Sequence, residues 1–125
     1  MNKKLIPMVI GISLFAGCTS IPSFYDPNES KAIIDISTRV ELMNCELEKS
    51  KLKKQVRSID FYVEWLNQYS LAKGSQDVTN LTSIMDKTLQ GLVDADPLTP
   101  TYCNIKKKNL QTQSRLAAEA IMGRY

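Results

Sequence analysis

Residues 26–74, DPNESKAIIDISTRVELMNCELEKSKLKKQVRSIDFYVEWLNQYSLAKG, hold no proline after Pro27 and no glycine before Gly74. The two residue types that most often interrupt a helix therefore stand only at the ends of the stretch. Asp26 is placed to cap a helix, and Pro27 fits the first helical position, where a missing N–H costs nothing. Glu29 is placed to complete a capping box. Ile33, Ile36, Val40, Met43 and Leu47 then recur three or four residues apart, which puts them on one helix face. Leu52, Val56, Ile59, Val63 and Leu66 form a second stripe, but the five-residue step from Leu47 to Leu52 rotates the face. Between the stripes, Glu46 to Lys54 is mostly charged. Two readings stay open, a continuous helix that twists its contact surface and a helix broken in two. Lys73-Gly74-Ser75 closes the stretch with a glycine C-cap and a turn.

Two more helices follow. One is expected from about Asp77 to Val93, with Val78, Leu81, Met85, Thr88, Leu89 and Leu92 on one side. After the turn at Asp96-Pro97-Leu98-Thr99-Pro100, Thr99 can cap a last helix that starts at Pro100 and carries Ile105, Leu110, Leu116, Ala117, Ala120 and Ile121 to Gly123. No segment alternates as a strand would, so the expected class is all-α, a small bundle of three or four helices. Unbroken, the first segment would reach about 60 Å at about 1.5 Å per residue, so the later helices must lie back along it. A helix returning from Gly74 ends beside roughly residue 54, and the proline turn carries the chain a little further. That brings Cys103 near Cys45, as a disulfide would require. Two buried free thiols are the alternative.

Upstream, Lys3 and Lys4 precede an apolar run of eleven residues, Leu5 to Phe15, and then Ala16-Gly17-Cys18. This is the layout of a secretory signal peptide over residues 1–17. A helix that spans a bilayer core needs about 20 apolar residues, so a permanent transmembrane anchor is not expected. Leu14-Phe15-Ala16-Gly17-Cys18 resembles the bacterial lipobox, in which small residues precede a cysteine that receives diacylglycerol before signal peptidase II cuts. Phe15 stands where Leu is commonest, with Leu14 one place further back. The alternative is an uncleaved N-terminal anchor or a buried helix with a free cysteine. Two or three acyl chains on Cys18 would hold the protein on its membrane at about 0.8 kcal/mol per buried methylene. In Gram-negative lipoproteins an Asp after the lipidated cysteine favours the inner membrane. Here that residue is Thr19, so the resemblance implies the outer membrane, periplasmic face. Residues 18–25 then form a short lipidated tether, and residues 26–125 the helical domain.

Among 125 residues there is no histidine, which removes the commonest general base and metal ligand. No phosphate-cradling glycine loop, no CxxC and no nucleophile with a base beside it occurs. A non-enzymatic role without cofactor or metal, apart from lipid on Cys18, is the expectation. The net charge of +3 loses two lysines with the signal peptide, leaving fourteen basic against thirteen acidic residues. So small an excess gives no reason to expect nucleic acid as a partner. With Cys18 acylated, Cys45 and Cys103 are an even pair in an oxidising compartment, which favours the disulfide.

The chain also resembles the pilotin family of type II secretion systems, small outer-membrane lipoproteins that bind the C-terminal segment of a secretin. The likeness rests on the lipobox, on Leu42-Met43-Asn44-Cys45, on Leu89-Gln90-Gly91-Leu92-Val93-Asp94 and on Thr101-Tyr102-Cys103-Asn104. Only Cys45 and Cys103 carry over as individual positions, and Lys49 to Lys73 matches no motif of the family. The resemblance implies a helix carrying Cys45, a bundle closed by one disulfide, and an apolar groove for an amphipathic helix of an envelope protein. Phe61, Tyr62, Trp65 and Tyr69, clustered on about two turns, are the candidate partner surface, since Trp and Tyr are favoured as binding anchors. The alternative is that they are simply packed in the core.

Lys106-Lys107-Lys108 suits anionic lipid headgroups or, more simply, a solvated face, because three consecutive charges fan around a helix. Glu41, Glu46, Glu48, Asp60 and Glu64 are expected to make intrahelical pairs, Asp60 and Glu64 with neighbouring bases. The runner-up function is a phage or mobile-element envelope lipoprotein that blocks a receptor or takes part in lysis. An envelope hydrolase or its inhibitor is a third class with little in its favour.

Overall fold

The computed structural model describes residues 25–123. The expected signal peptide, Cys18 and the tether up to Phe24 lie outside the described residues. Four helices follow in order: α1 (Pro27–Leu42), α2 (Lys49–Lys73), α3 (Gln76–Asp94) and α4 (Pro100–Met122). The described residues are all-helical, and one disulfide joins Cys45 to Cys103.

The long first segment breaks. Met43 leaves the helical region with ψ at 126°, and the Asn44 side chain folds over to accept the Glu46 N–H at 2.9 Å. The Asn44 N–H in turn donates to Gln55 Oε1 of α2 at 3.0 Å. Lys107 Nζ of α4 donates to the Met43 carbonyl at 2.7 Å, giving that backbone group a partner just past the end of α1. The five-residue step from Leu47 to Leu52 thus marks a loop rather than a rotating face. Cys45 lies in that loop and not on a helix, which corrects what the family resemblance implies. Its partner Cys103 sits in the first turn of α4, with the two Cα atoms 5.7 Å apart. Closing a loop with a sequence separation of 58 stabilises the fold by about 4 kcal/mol on the chain-entropy model.

Helix α1 packs on α2 and α4, and α3 packs on the same two, so the helices form a closed square. Side-chain contacts fix the directions. Lys73 at the end of α2 meets Glu29 at the start of α1, Asn67 of α2 meets Thr79 of α3, and Gln113 of α4 meets Thr88 of α3. Each helix is antiparallel to its neighbours, and all four apolar stripes face inward. Ile33, Ile36 and Val40, the whole Leu52 to Leu66 stripe, Val78, Met85, Leu89 and Leu92, and Leu110, Ala117 and Ile121 are buried.

Two helices present slightly different faces from those their apolar residues suggest. In α3 the buried row includes Thr79 and Thr82, with Leu81 only partly covered. The Thr82 hydroxyl donates to the Val78 carbonyl at 2.8 Å, and Asn67 Nδ2 donates to Thr82 Oγ1 at 2.9 Å, so its burial strands no polar atom. In α4 the inward row is Cys103, Leu110, Ser114, Ala117 and Ile121, which leaves Ile105 and Leu116 exposed.

The helix ends are capped largely as expected. Asp26 Oδ1 accepts from the N–H groups of Asn28 (2.7 Å) and Glu29 (3.4 Å), and Thr99 Oγ1 accepts from Tyr102 N–H at 3.2 Å. Gly74 adopts φ of 86°, while a Cβ built there would touch nothing within 4 Å. The left-handed turn, not crowding, requires the glycine. Lys53 of α2 reaches across to donate to the carbonyls of Leu92, Val93 and Ala95, capping the end of α3 with a positive charge.

Candidate functional site

The structure divides the four aromatic residues of α2 into anchored and open rings. Tyr62 and Tyr69 are tied to α1. The Arg39 guanidinium lies 4.3 Å from the Tyr62 ring centroid and donates to the Tyr62 hydroxyl at 3.2 Å. Tyr69 donates to Asp26 Oδ2 at 2.9 Å and accepts from Asn28 Nδ2 at 3.1 Å. Phe61 and Trp65, one turn apart, keep 64% and 44% of their surface exposed. Each open ring rests on an anchored one. Phe61 meets Tyr62 edge to face with centroids 5.4 Å apart, and Trp65 stacks on Tyr69 at 5.1 Å and 8°.

Open depressions flank this pair. One of about 350 Å³ runs between α1 and α2, where Asn28, Lys31, Ala32 and Asp35 face Phe61, Tyr62 and Trp65. The other, about 670 Å³, follows the outer face of α2, where Arg57, Asp60, Glu64 and Gln68 border Phe61, Trp65 and Tyr69. Both are shallow and open.

The second depression carries unbalanced charge. Burial, a close approach to the Asp86 carboxyl of α3 and the negative charge of Glu64 push Asp60 up to about 6. Asp60 Oδ1 is buried and has no hydrogen-bond partner. Neither Asp60 nor Glu64 forms the intrahelical ion pair expected from the sequence: Glu64 Oε1 accepts instead from Gln68 Nε2 at 3.1 Å. Arg57 borders the same depression, yet no ion pair among the described residues joins a base to Asp60, Glu64 or Asp86.

A different carboxylate cluster closes the end of the bundle at the start of α1. Glu29 is fully buried and receives Lys73 Nζ at 2.7 Å on Oε1, with the Ser75 hydroxyl at 3.4 Å. Lys73 also reaches Asp26 Oδ2 at 3.1 Å. Burial would raise the Asp26 carboxyl, but hydrogen bonds from Lys73, Tyr69 and two backbone N–H groups outweigh it and hold it below the usual range. Burial would likewise lower Lys73, but Glu29 and Asp26 outweigh it and raise the ammonium above its ordinary value. Glu29 thus serves as a buried ionic partner, a role beyond the capping box that its position suggests.

The lysine run has no common task. Lys106 lies over the Tyr102 ring at 5.4 Å, Lys107 caps α1, and Lys108 is exposed. Glu41 Oε2 accepts from Gln111 across the α1/α4 interface at 3.2 Å. The intrahelical pairs that do form are Lys31 with Asp35 and Arg115 with Glu119. Among the described residues no cluster of three His, Cys, Asp or Glu side chains is placed to hold a metal ion. No helix among them is long and apolar enough to cross a membrane. No protein-family model matches the chain, and no curated protein or solved structure matches it.

Proposed function

We propose that the chain is a lipid-anchored, non-enzymatic binding module of the bacterial envelope. Cys18 tethers it to the periplasmic face of the outer membrane, and the outer face of α2 receives a helical segment of another envelope protein, in the manner of a pilotin. The observation that carries this reading is the open Phe61–Trp65 pair, resting on rings hydrogen-bonded to α1 and flanked by two depressions. Fully covering a large apolar side chain is worth about 1.5–3 kcal/mol, only part of which the isolated bundle realises at these two partly exposed positions. Aromatic anchors of this kind dominate the energetics of helix-in-groove complexes. The short tether keeps the surface close to membrane-embedded partners.

The test uses the full chain in its own cells, with a photo-crosslinking amino acid in place of Phe61 and, separately, of Ile105 on α4. The expected result is a discrete crosslinked envelope protein from position 61 alone, together with radioactive palmitate incorporated in the chain and lost in Cys18→Ala. Equal products from both positions, or none from position 61, would refute the surface. A chain that takes up no fatty acid would refute the anchor.

A further inference from the structure

We infer that the surface around Phe61 and Trp65 accepts a partner helix that carries a Lys or Arg one turn from its apolar anchors, the base lying over the carboxylates of Asp60 and Glu64. The inference deepens the docking role proposed for this face and rests on it. Its ground is charge complementarity. Asp60 and Glu64 occupy the same side of α2 as the open rings, each one turn from its neighbour, and border the larger depression. Asp86 of α3 adds a third carboxyl beside Asp60. Elsewhere in this bundle a carboxylate group at a helix interface has a base brought to it, as Lys73 is brought to Asp26 and Glu29. Here no ion pair supplies one, although Arg57 borders the depression and Lys31 lies across the aromatic pair, engaged with Asp35.

A buried carboxylate oxygen without a hydrogen-bond donor is costly in a low-dielectric setting. A base arriving from the solvent side lies over the Asp60 and Glu64 side chains that border the depression one turn apart, while its apolar neighbours cover Phe61 and Trp65. The open face of Trp65 offers the same cation a second attraction through its ring. An acidic partner segment would bring like charges together and is disfavoured.

Trp65 is the chain's one tryptophan, so its emission reports directly on this surface. The full chain is placed in phosphatidylcholine vesicles and titrated with two tryptophan-free amphipathic peptides of about 18 residues, long enough to form a helix when bound. They differ only in carrying Lys or Glu one turn from a pair of leucine anchors. The Lys peptide is expected to shift Trp65 emission to shorter wavelength and to bind about tenfold tighter than the Glu peptide. That preference should vanish in the double variant Asp60→Asn, Glu64→Gln. Equal affinity for the two peptides, no binding of either, or a lysine preference that survives the double variant would each overturn the inference. If the peptides fail while position 61 still crosslinks an envelope protein, only the basic partner is wrong. If position 61 captures nothing, the docking reading itself falls.

Discussion

Two acidic clusters lie against helix α2 and are handled in opposite ways. At its C-terminal end the carboxylates of Asp26 and Glu29 share Lys73, and the hydroxyls of Tyr69 and Ser75 join the network. Two turns or more towards the N-terminus, Asp60, Glu64 and Asp86 crowd together without an ion pair, beside two exposed aromatic rings. The first cluster holds the bundle together, and its members are unavailable for other work. The second is left unbalanced on an open surface, which is where an incoming partner can gain most.

The comparison predicts opposite signs for changes at the two places. Lys73→Met should be the most damaging, because it leaves the fully buried Glu29 without its ammonium; breaking such a pair costs about 3 kcal/mol or more. Urea unfolding of the full chain measures it, and a loss below about 1 kcal/mol would show that solvent compensates the buried carboxylate. At the other cluster, Asp60→Asn should leave the protein as stable or more stable at neutral pH, since it removes repulsion from Asp86 and Glu64.

The pH profile sharpens the contrast. Asp60 titrates near 6 in the folded chain against an ordinary 3.8, so the native state binds more protons in that window and its stability rises as pH falls from about 7 to about 4. Asp26, held below 3.8, acts the other way. Its contribution is present above 3.8 and disappears as the pH falls through the lower folded-state value. Thermal midpoints of the wild type should therefore climb between about pH 7 and pH 5 and drop in stronger acid. In Asp60→Asn the climb should flatten while the acid drop persists. A wild-type curve that falls steadily from pH 7 would contradict the assignment. The smallest effect is expected at Phe61→Ala, within about 0.5 kcal/mol by urea unfolding, because the side chain is largely exposed.

Periodicity made most of the bundle legible. The stripes from Ile33 to Val40 and from Leu52 to Leu66 became the inward faces of α1 and α2, and Asp26, Gly74 and Thr99 stand at the helix ends where capping chemistry puts them. The break at residues 43–48 was undecided, because it depends on Gln55 and Lys107 meeting the backbone of Asn44 and Met43 from other helices. Disulfide pairing followed from cysteine number and helix length, yet Cys45 proved to sit in the loop. At the candidate site, the aromatic cluster was visible as four residues on two turns, but its division was not. Which rings are tied down depends on Arg39, Asp26 and Asn28, all on α1.

Glu29 carried a signal that capping chemistry obscured, since it stands four residues before Ile33 in the apolar stripe and so faces inward. Asp60 and Asp86 each follow a buried residue, Ile59 and Met85, and so flank the stripes of adjacent helices. Their meeting could be read only once α2 and α3 were known to pack together.

The most direct test is crosslinking from position 61 in full-length chains that carry either Trp65 or Trp65→Ala, with the thermal midpoint of each measured alongside. A surface built for a partner predicts that the crosslinked product falls by about tenfold in Trp65→Ala while the midpoint moves by only a few degrees. An undiminished product, or a chain that no longer folds without the tryptophan, would mean that Trp65 belongs to the architecture of the bundle and not to its contact with another protein.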